Sequence, residues 1–351
     1  MAEPQAVISR PAGATVFLVV TVTPGHEDTV RALLEDVSGL RRSVAFRAPG
    51  DDLDCVVGIG SAAWDRLFDG PRPQHLHPFT ELTGKRHRAP ATPGDLLFHV
   101  RARRADLCFE LARLIVERLD GAVTVVDEVH GFKYFDNRDL LGFVDGSENP
   151  EGRPAADAVL VGDEDPAFAG GSYVIVQKYL HDLRTWNTLP SDEQEKVIGR
   201  TKLANVELPD DVKPADSHVA LNTITGEDGD ERRIVRENMP FGSLGQGEFG
   251  TFFIGYARTP EVTEQMLRNM FLGDGRASHD RILDFSTAIT GCLFHVPTAD
   301  FLDDLPAAPG ERAADERAAD RPATPGLPAA SGERAAADGS LGIGSLKGVR
   351  P

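Results

Sequence analysis

The feature that most constrains the fold is an internal repeat. Residues 17–34 (FLVVTVTPGHEDTVRALL) lie over residues 173–190 (YVIVQKYLHDLRTWNTLP) at an offset of 156, and residues 96–114 lie over 251–269 at 155, matching Phe98 with Phe253. Each member is a β-rich run followed by a helix-like segment. A duplicated unit of strand, helix, strand, strand and helix has the order of a ferredoxin-like α+β fold with antiparallel sheets. The competing reading is two unrelated α/β domains that resemble each other by chance. On the duplicated reading the halves are 1–150 and 151–304, joined through a Gly-, Asp- and Pro-rich stretch at 136–166. A connection that long is usually functional or mobile.

After Phe301, the last aromatic residue, the composition changes. From Leu305 to Pro351, 25 of 47 residues are Ala, Pro or Gly, and GERAAD at Gly310 recurs as GERAAAD from Gly332. Such a stretch builds no core, and 305–351 is expected to be a disordered tail. Its six acids and six bases cancel, so the whole net charge of -18 sits on the folded part. An acidic surface repels phosphate backbones, which argues against a nucleic-acid partner. Cys55, Cys108 and Cys292 are odd in number and contain no CxxC pair, so they read as small core hydrophobes in a reducing compartment. The apolar run Val16 to Val22 is too short for a bilayer and follows no basic n-region, so neither a membrane span nor a signal peptide is expected.

Several motifs carry competing readings. Gly58, Gly60 and Ala63 match a dinucleotide fingerprint, but no suitable parallel strand follows, which favours a tight turn at a helix start. His75, His77 and His87 lie in a polar, Pro-rich region without an acid or thiol at ligand spacing and read as solvated histidines. In GFVDGSENP from Gly142, Asp145 between glycines is either turn chemistry or a carboxylate held over a flat ligand as a proton acceptor and donor. Arg236 could stabilise developing negative charge beside it, or simply pair with Glu231 or Glu237. His218 is a half-buried histidine by default. Its alternative is a metal ligand whose second nitrogen donates to a carboxylate.

Taken together, GFVDGSENP, SHVALNT from Ser217, VRENMPFG from Val235 and RILDFSTAITG from Arg281 resemble the dye-decolourising peroxidases, B type, over residues 14–303. The resemblance implies haem b in a pocket of the second half, with His218 as the proximal ligand of the haem iron. It implies Asp145 and Arg236 on the side where peroxide binds, Asn238 orienting water or peroxide, and Gly146 and Phe253 against the cofactor. Asp284 is expected as the acidic partner of His218, with Asp280 as the alternative. Hydrogen peroxide and small organic reductants are the implied substrates, and a homo-oligomer the implied assembly. The rival functions are removal of iron from haem (a deferrochelatase) and non-catalytic haem binding or storage.

The tail carries a second resemblance. Residues 338–348 (DGSLGIGSLKG) are similar to the cargo-loading peptides of encapsulin shells. Leu341, Ile343 and Leu346 are three apolar anchors separated by Gly and Ser, suited to an extended backbone in a groove at the end of a tether. The expected location is the cytoplasm, inside an encapsulin compartment.

Overall fold

The computed structural model describes residues 2–311. The peptide anchors Leu341, Ile343 and Leu346 lie outside them. In the first half, β1 (Ala14–Val22) is followed by α1 (Glu27–Ala45), β2 (Asp54–Gly60), α2 (Ser61–Leu67), a small hairpin of β3 (Leu82–Thr83) and β4 (Arg88–Ala89), then β5 (Leu96–Ala102), α3 (Ala105–Arg118) and β6 (Val123–Phe132). The second half holds α4 (Arg153–Val159), β7 (Ser172–His181), α5 (Leu183–Trp186), α6 (Ser191–Ile198) and α7 (His218–Asn222). It continues through β8 (Ile224–Thr225), β9 (Glu231–Arg232), β10 (Val235–Arg236), β11 (Met239–Ser243), β12 (Glu248–Ala257), α8 (Pro260–Leu272), β13 (Ser286–Ala288), β14 (Cys292–Val296) and α9 (Ala299–Asp303).

The large sheet runs β10-β12-β7-β14-β2-β5-β1-β6, with β11 also on β12 and β13 also on β7. Within each half the first strand lies between the third and the fourth, the ferredoxin-like order, and the pairs are antiparallel. The halves meet where β14 pairs β2, with Phe294 opposite Gly60. This explains the false dinucleotide fingerprint: a Cβ on Gly58 would stand 2.9 Å from the Phe294 side chain, and one on Gly60 2.5 Å from the Gly94 carbonyl. Those glycines admit neighbouring chain, not a pyrophosphate.

The register moves one of the two repeat alignments. Ala102 pairs Ala14 and Ala257 pairs Tyr173, so with β5 over β12 at 155, β1 lies over β7 at an offset of 159, not 156. An odd shift changes the face: Phe17 points into one core cluster and Tyr173 into the other. The reason is that both strands are buried on both faces. Val16, Leu18 and Val20 pack under α1 and α3, while Phe17 and Val19 face an inner core with Val174, Val176, Phe252 and Phe294. A run apolar on both faces offers no alternation by which to set its register.

The three cysteines are unpaired, and burial pushes the Cys108 thiol up to about 12. Among the described residues no helix is long and apolar enough to cross a membrane.

Candidate active site

A cleft between the loop at 139–148 and the second half has an empty volume, counted out to the solvent at its mouth, of about 1390 Å³. Asp145, Gly146, His218, Arg236, Asn238 and Phe253 all line it. The sequence motifs, scattered over more than a hundred residues, thus converge on one cavity.

His218 opens α7, whose N-cap Ser217 accepts from the Ala220 N–H at 3.4 Å. Its Nδ1 lies 2.7 Å from Oδ2 of Asp280. Asp280 is fully buried and caps the short 3-10 turn Arg281–Asp284, accepting from the Ile282 N–H through Oδ1 at 2.9 Å. With Nδ1 donating to this carboxylate, Nε2 keeps its lone pair, and it makes no hydrogen bond among the described residues. The acidic partner of His218 is therefore Asp280 and not Asp284. On the 3-10 turn these residues stand four apart, and Asp284 faces outward, with Oδ1 3.0 Å from His87 Nε2 and 3.3 Å from Arg86 Nη2.

Asp145 sits on a loop that folds back on itself. The Asp139 and Asp145 amides donate to the Phe143 and Asn137 carbonyls, and Arg138 ties the loop to the Gly142 and Lys202 carbonyls. Gly146 has a φ of 72°, a left-handed conformation suited to glycine, and its N–H donates to Asp145 Oδ1 at 2.7 Å. Asn238 Nδ2 donates to Asp145 Oδ2 at 2.9 Å, and its own Oδ1 accepts from the Ile254 N–H at 3.0 Å. The strand contact sets the amide orientation, so Asn238 touches the carboxylate directly.

Arg236 pairs with neither of its sequence neighbours. Glu231 bonds Arg233, and Glu237 is engaged by the buried Arg101 of β5. Burial raises the Glu237 carboxyl above its usual range, although Arg101 pulls the other way. The Asn149 side chain clasps the Arg236 backbone from both sides, with bonds of 2.7 and 3.0 Å. Arg236 thus makes no ion pair among the described residues, and its buried Nε has no partner. A guanidinium without an ion-pair partner on a cavity wall retains donors that can meet negative charge.

Two further polar residues of the cavity wall escaped the sequence reading. Burial first, then the neighbouring Asp145 charge, pushes the Asp139 carboxyl up to about 7, against an opposing hydrogen bond from the Phe143 N–H. His181 bonds Ser286 and Thr251 through its two nitrogens, and burial lowers its pKa to about 4. Neither belongs to a motif, and only the folded loop and sheet bring them to the wall.

Comparison with known proteins agrees with this geometry. Residues 4–133 match the family model described as Dyp-type peroxidase, N-terminal, and residues 136–301 the one described as Dyp-type peroxidase, C-terminal. The dye-decolorizing peroxidase of Mycolicibacterium paratuberculosis is 60% identical over 347 residues, covering 99% of this chain and 93% of that protein. Among solved structures, the encapsulated DyP-type peroxidase of Mycobacterium smegmatis is 62% identical with a TM-score of 0.87, covering 88% of this chain and 100% of that one. A DypB variant of Rhodococcus jostii RHA1 in complex with heme is 59% identical with a TM-score of 0.84, covering 86% of this chain and 98% of that one. Deferrochelatases are distant: one from Yersinia pestis is 25% identical over 279 residues, 69% of this chain and 64% of that protein. With family models over both halves and a relative 60% identical along nearly its whole length, the chain belongs to the Dyp-type peroxidase family.

Proposed function

We propose that this enzyme uses haem b, held by His218, to reduce hydrogen peroxide and oxidise dyes, phenols and similar small organic donors, and that its tail directs it into a cytoplasmic encapsulin shell. The observation that carries the haem reading is the donor set of one cavity: an imidazole backed by a buried carboxylate, a guanidinium with an orphaned Nε, and apolar walls such as Leu141, Val219, Leu267 and Met270. A flat apolar macrocycle suits such walls, and His218 Nε2 suits its iron.

Haem, when bound, supplies a redox-active iron at which peroxide is reduced. The chain supplies basicity, a proton route and charge. Asp280, accepting from His218 Nδ1, gives the imidazole imidazolate character and so strengthens Nε2 as a ligand. Each Asp145 oxygen already accepts one hydrogen bond and retains a lone pair, so the carboxylate can take a proton from one peroxide oxygen and return it to the one that leaves as water. Arg236 stabilises the negative charge that develops on the departing oxygen. Asn238 is a positioning residue in this scheme, holding Asp145 by its amide.

The test is haem content and peroxide-driven dye turnover. The parent should show a Soret band and steady turnover with intact haem, whereas storage predicts negligible turnover and deferration predicts iron-free porphyrin. His218→Ala should lose stable haem, since no other histidine lines the cavity except His181, whose two nitrogens are engaged. Full haem loading of the variant at an unchanged Soret position would overturn the ligand assignment.

Packaging is supported by the encapsulated relative and by the 99% coverage in the alignment with the mycobacterial enzyme, which runs into the tail. Replacing Leu341, Ile343 and Leu346 with Asp removes apolar burial of roughly 1.5–3 kcal/mol per side chain and places charges in the groove. On co-expression with the shell protein, the triple variant should keep haem and turnover but be absent from purified particles. Normal loading would mean that the shell reads the folded domain instead.

A further inference from the structure

We infer that His87, His279 and Asp284 form a second metal site, separate from the haem cavity and suited to a borderline-soft divalent cation such as Zn²⁺. The three come from different parts of the fold. His87 lies at the turn of the β3–β4 hairpin, where the Gly84 N–H donates to its carbonyl, His279 lies in the loop after α8, and Asp284 ends the 3-10 turn. Oδ1 of Asp284 is 3.0 Å from His87 Nε2 and 3.3 Å from His279 Nε2. The ligand atoms of all three lie within 4.8 Å of one another, the one such cluster among the described residues.

Those spacings are close to what a tetrahedral ion requires. Metal bonds of about 2.0–2.2 Å at tetrahedral angles place ligand atoms about 3.3–3.6 Å apart, so a slight opening of the cluster admits the ion. Two imidazoles and one carboxylate, with the fourth position left to water, favour Zn²⁺ and its softer neighbours over Mg²⁺ or Ca²⁺, which prefer all-oxygen shells. His279 carries an outer partner as well: its Nδ1 is 2.9 Å from Ser278 Oγ, which can accept the ring proton when Nε2 turns to the metal. The side chains are 19%, 12% and 26% exposed, reachable from solution and yet partly sheltered.

Arg86 is the internal competitor. Its Nη2 sits 3.3 Å from the same Asp284 oxygen, and its side chain is 63% exposed. A guanidinium there takes the charge that the cation would use, and it can withdraw into water. Metal binding would tie the hairpin turn to the segment whose next residue, Asp280, holds His218. The site therefore clamps the carboxylate behind the proposed haem ligand without facing the cavity, which neither His87 nor His279 lines.

The test is calorimetric titration of the EDTA-dialysed holoenzyme with ZnCl₂. One equivalent should bind, His87→Ala and His279→Ala should each weaken it by about tenfold or more, and MgCl₂ should give no such binding. Arg86→Ala should tighten it, an effect that adventitious binding to surface histidines does not produce. The double variant His75→Ala/His77→Ala, which leaves the cluster intact, should bind as the parent does. The unchanged visible spectrum of each variant reports its fold, and should His279→Ala not fold, His87→Ala, on the hairpin turn, decides alone. Absence of Zn²⁺ binding in the parent, or equal affinity in parent and His87→Ala, would overturn the site.

Discussion

The two halves share one strand order, yet the deep cleft opens beneath the helices of the second. In the first half, the 19-residue α1 lays Val30, Leu33, Leu34 and Val37 against the sheet beside Leu111 and Ile115 of α3. In the second, the chain between β7 and β10 breaks into α5, α6 and α7, and the space under α8 is the cavity. The register superposes Leu18, Val20 and Leu96 of the packed half on Gln177, Tyr179 and Thr251 of the hollow one. Apolar filler has given way to polar groups: Tyr179 donates to Gln177 Oε1 at 2.8 Å, and Thr251 holds His181. One copy of the scaffold fills the space between helix and sheet with apolar side chains and the other opens a cavity there, so the difference lies in what stands between helix and sheet.

The sharpest way to break this comparison is at the cavity side chain most dedicated to charge. Arg236→Leu should reduce the second-order rate with peroxide by about 10²–10³, the usual loss for one electrostatic donor, while haem content and melting temperature stay near those of the parent. Stopped-flow mixing with peroxide checks it, and an unchanged rate would remove Arg236 from the reaction.

A reciprocal exchange sharpens the contrast with a smaller effect. Leu96→Thr places the hollow half's residue in the packed half, opening space and burying a hydroxyl, and should cost roughly 2–3 kcal/mol of stability with haem unaffected. Thr251→Leu should do the reverse, lowering haem occupancy by filling the wall, at a smaller cost in melting temperature because the loss of the His181 hydrogen bond is partly offset by added apolar contact. Denaturant unfolding and haem titration separate the two. Equal effects of both changes on haem would mean that the halves are not functionally distinct.

The smallest effect is a pH slope. The folded-state pKa of Asp139, about 7, lies above the unfolded carboxylate value, so the folded protein holds this proton more tightly. Its contribution to stability is complete below the unfolded pKa and is lost as pH rises through about 7. Asp139→Asn, which keeps an acceptor for the Phe143 N–H, should flatten the decline between about pH 4 and 7 and leave the variant the more stable at pH 8. Melting curves across that range test it, and parallel profiles for parent and variant would contradict the shift.

What could be read in the chain tracks how local each signal is. The α3 and α8 segments follow β5 and β12 at the same offset because amphipathic helices have a period that ties them to their strands, and there the repeat alignment holds. The β1 and β7 alignment slipped by three residues because both strands are buried on both faces along most of their length, which leaves no clear alternation to set the register. The motif residues Asp145, His218 and Arg236 could be found because each sits in a distinctive short string, whereas Asp139 and His181 have none.

By itself the sequence determined the duplicated α+β architecture, the acidic folded part distinct from its Ala-, Pro- and Gly-rich tail, and the set of motifs that converge on one cavity. The tertiary structure decided the partners. Read along the chain, Asp284 of LDFSTA is the expected partner of His218 and Asp280 the alternative, but the 3-10 turn points Asp280 inward to His218 and Asp284 outward to His87. His87, a solvated histidine when read along the chain, meets His279 and Asp284 nearly two hundred residues away. The physical reason is range: helix and strand periods are set by neighbours within a few residues, whereas a hydrogen bond or a ligand set depends on distances of about 3 Å between groups that only the packed chain brings together.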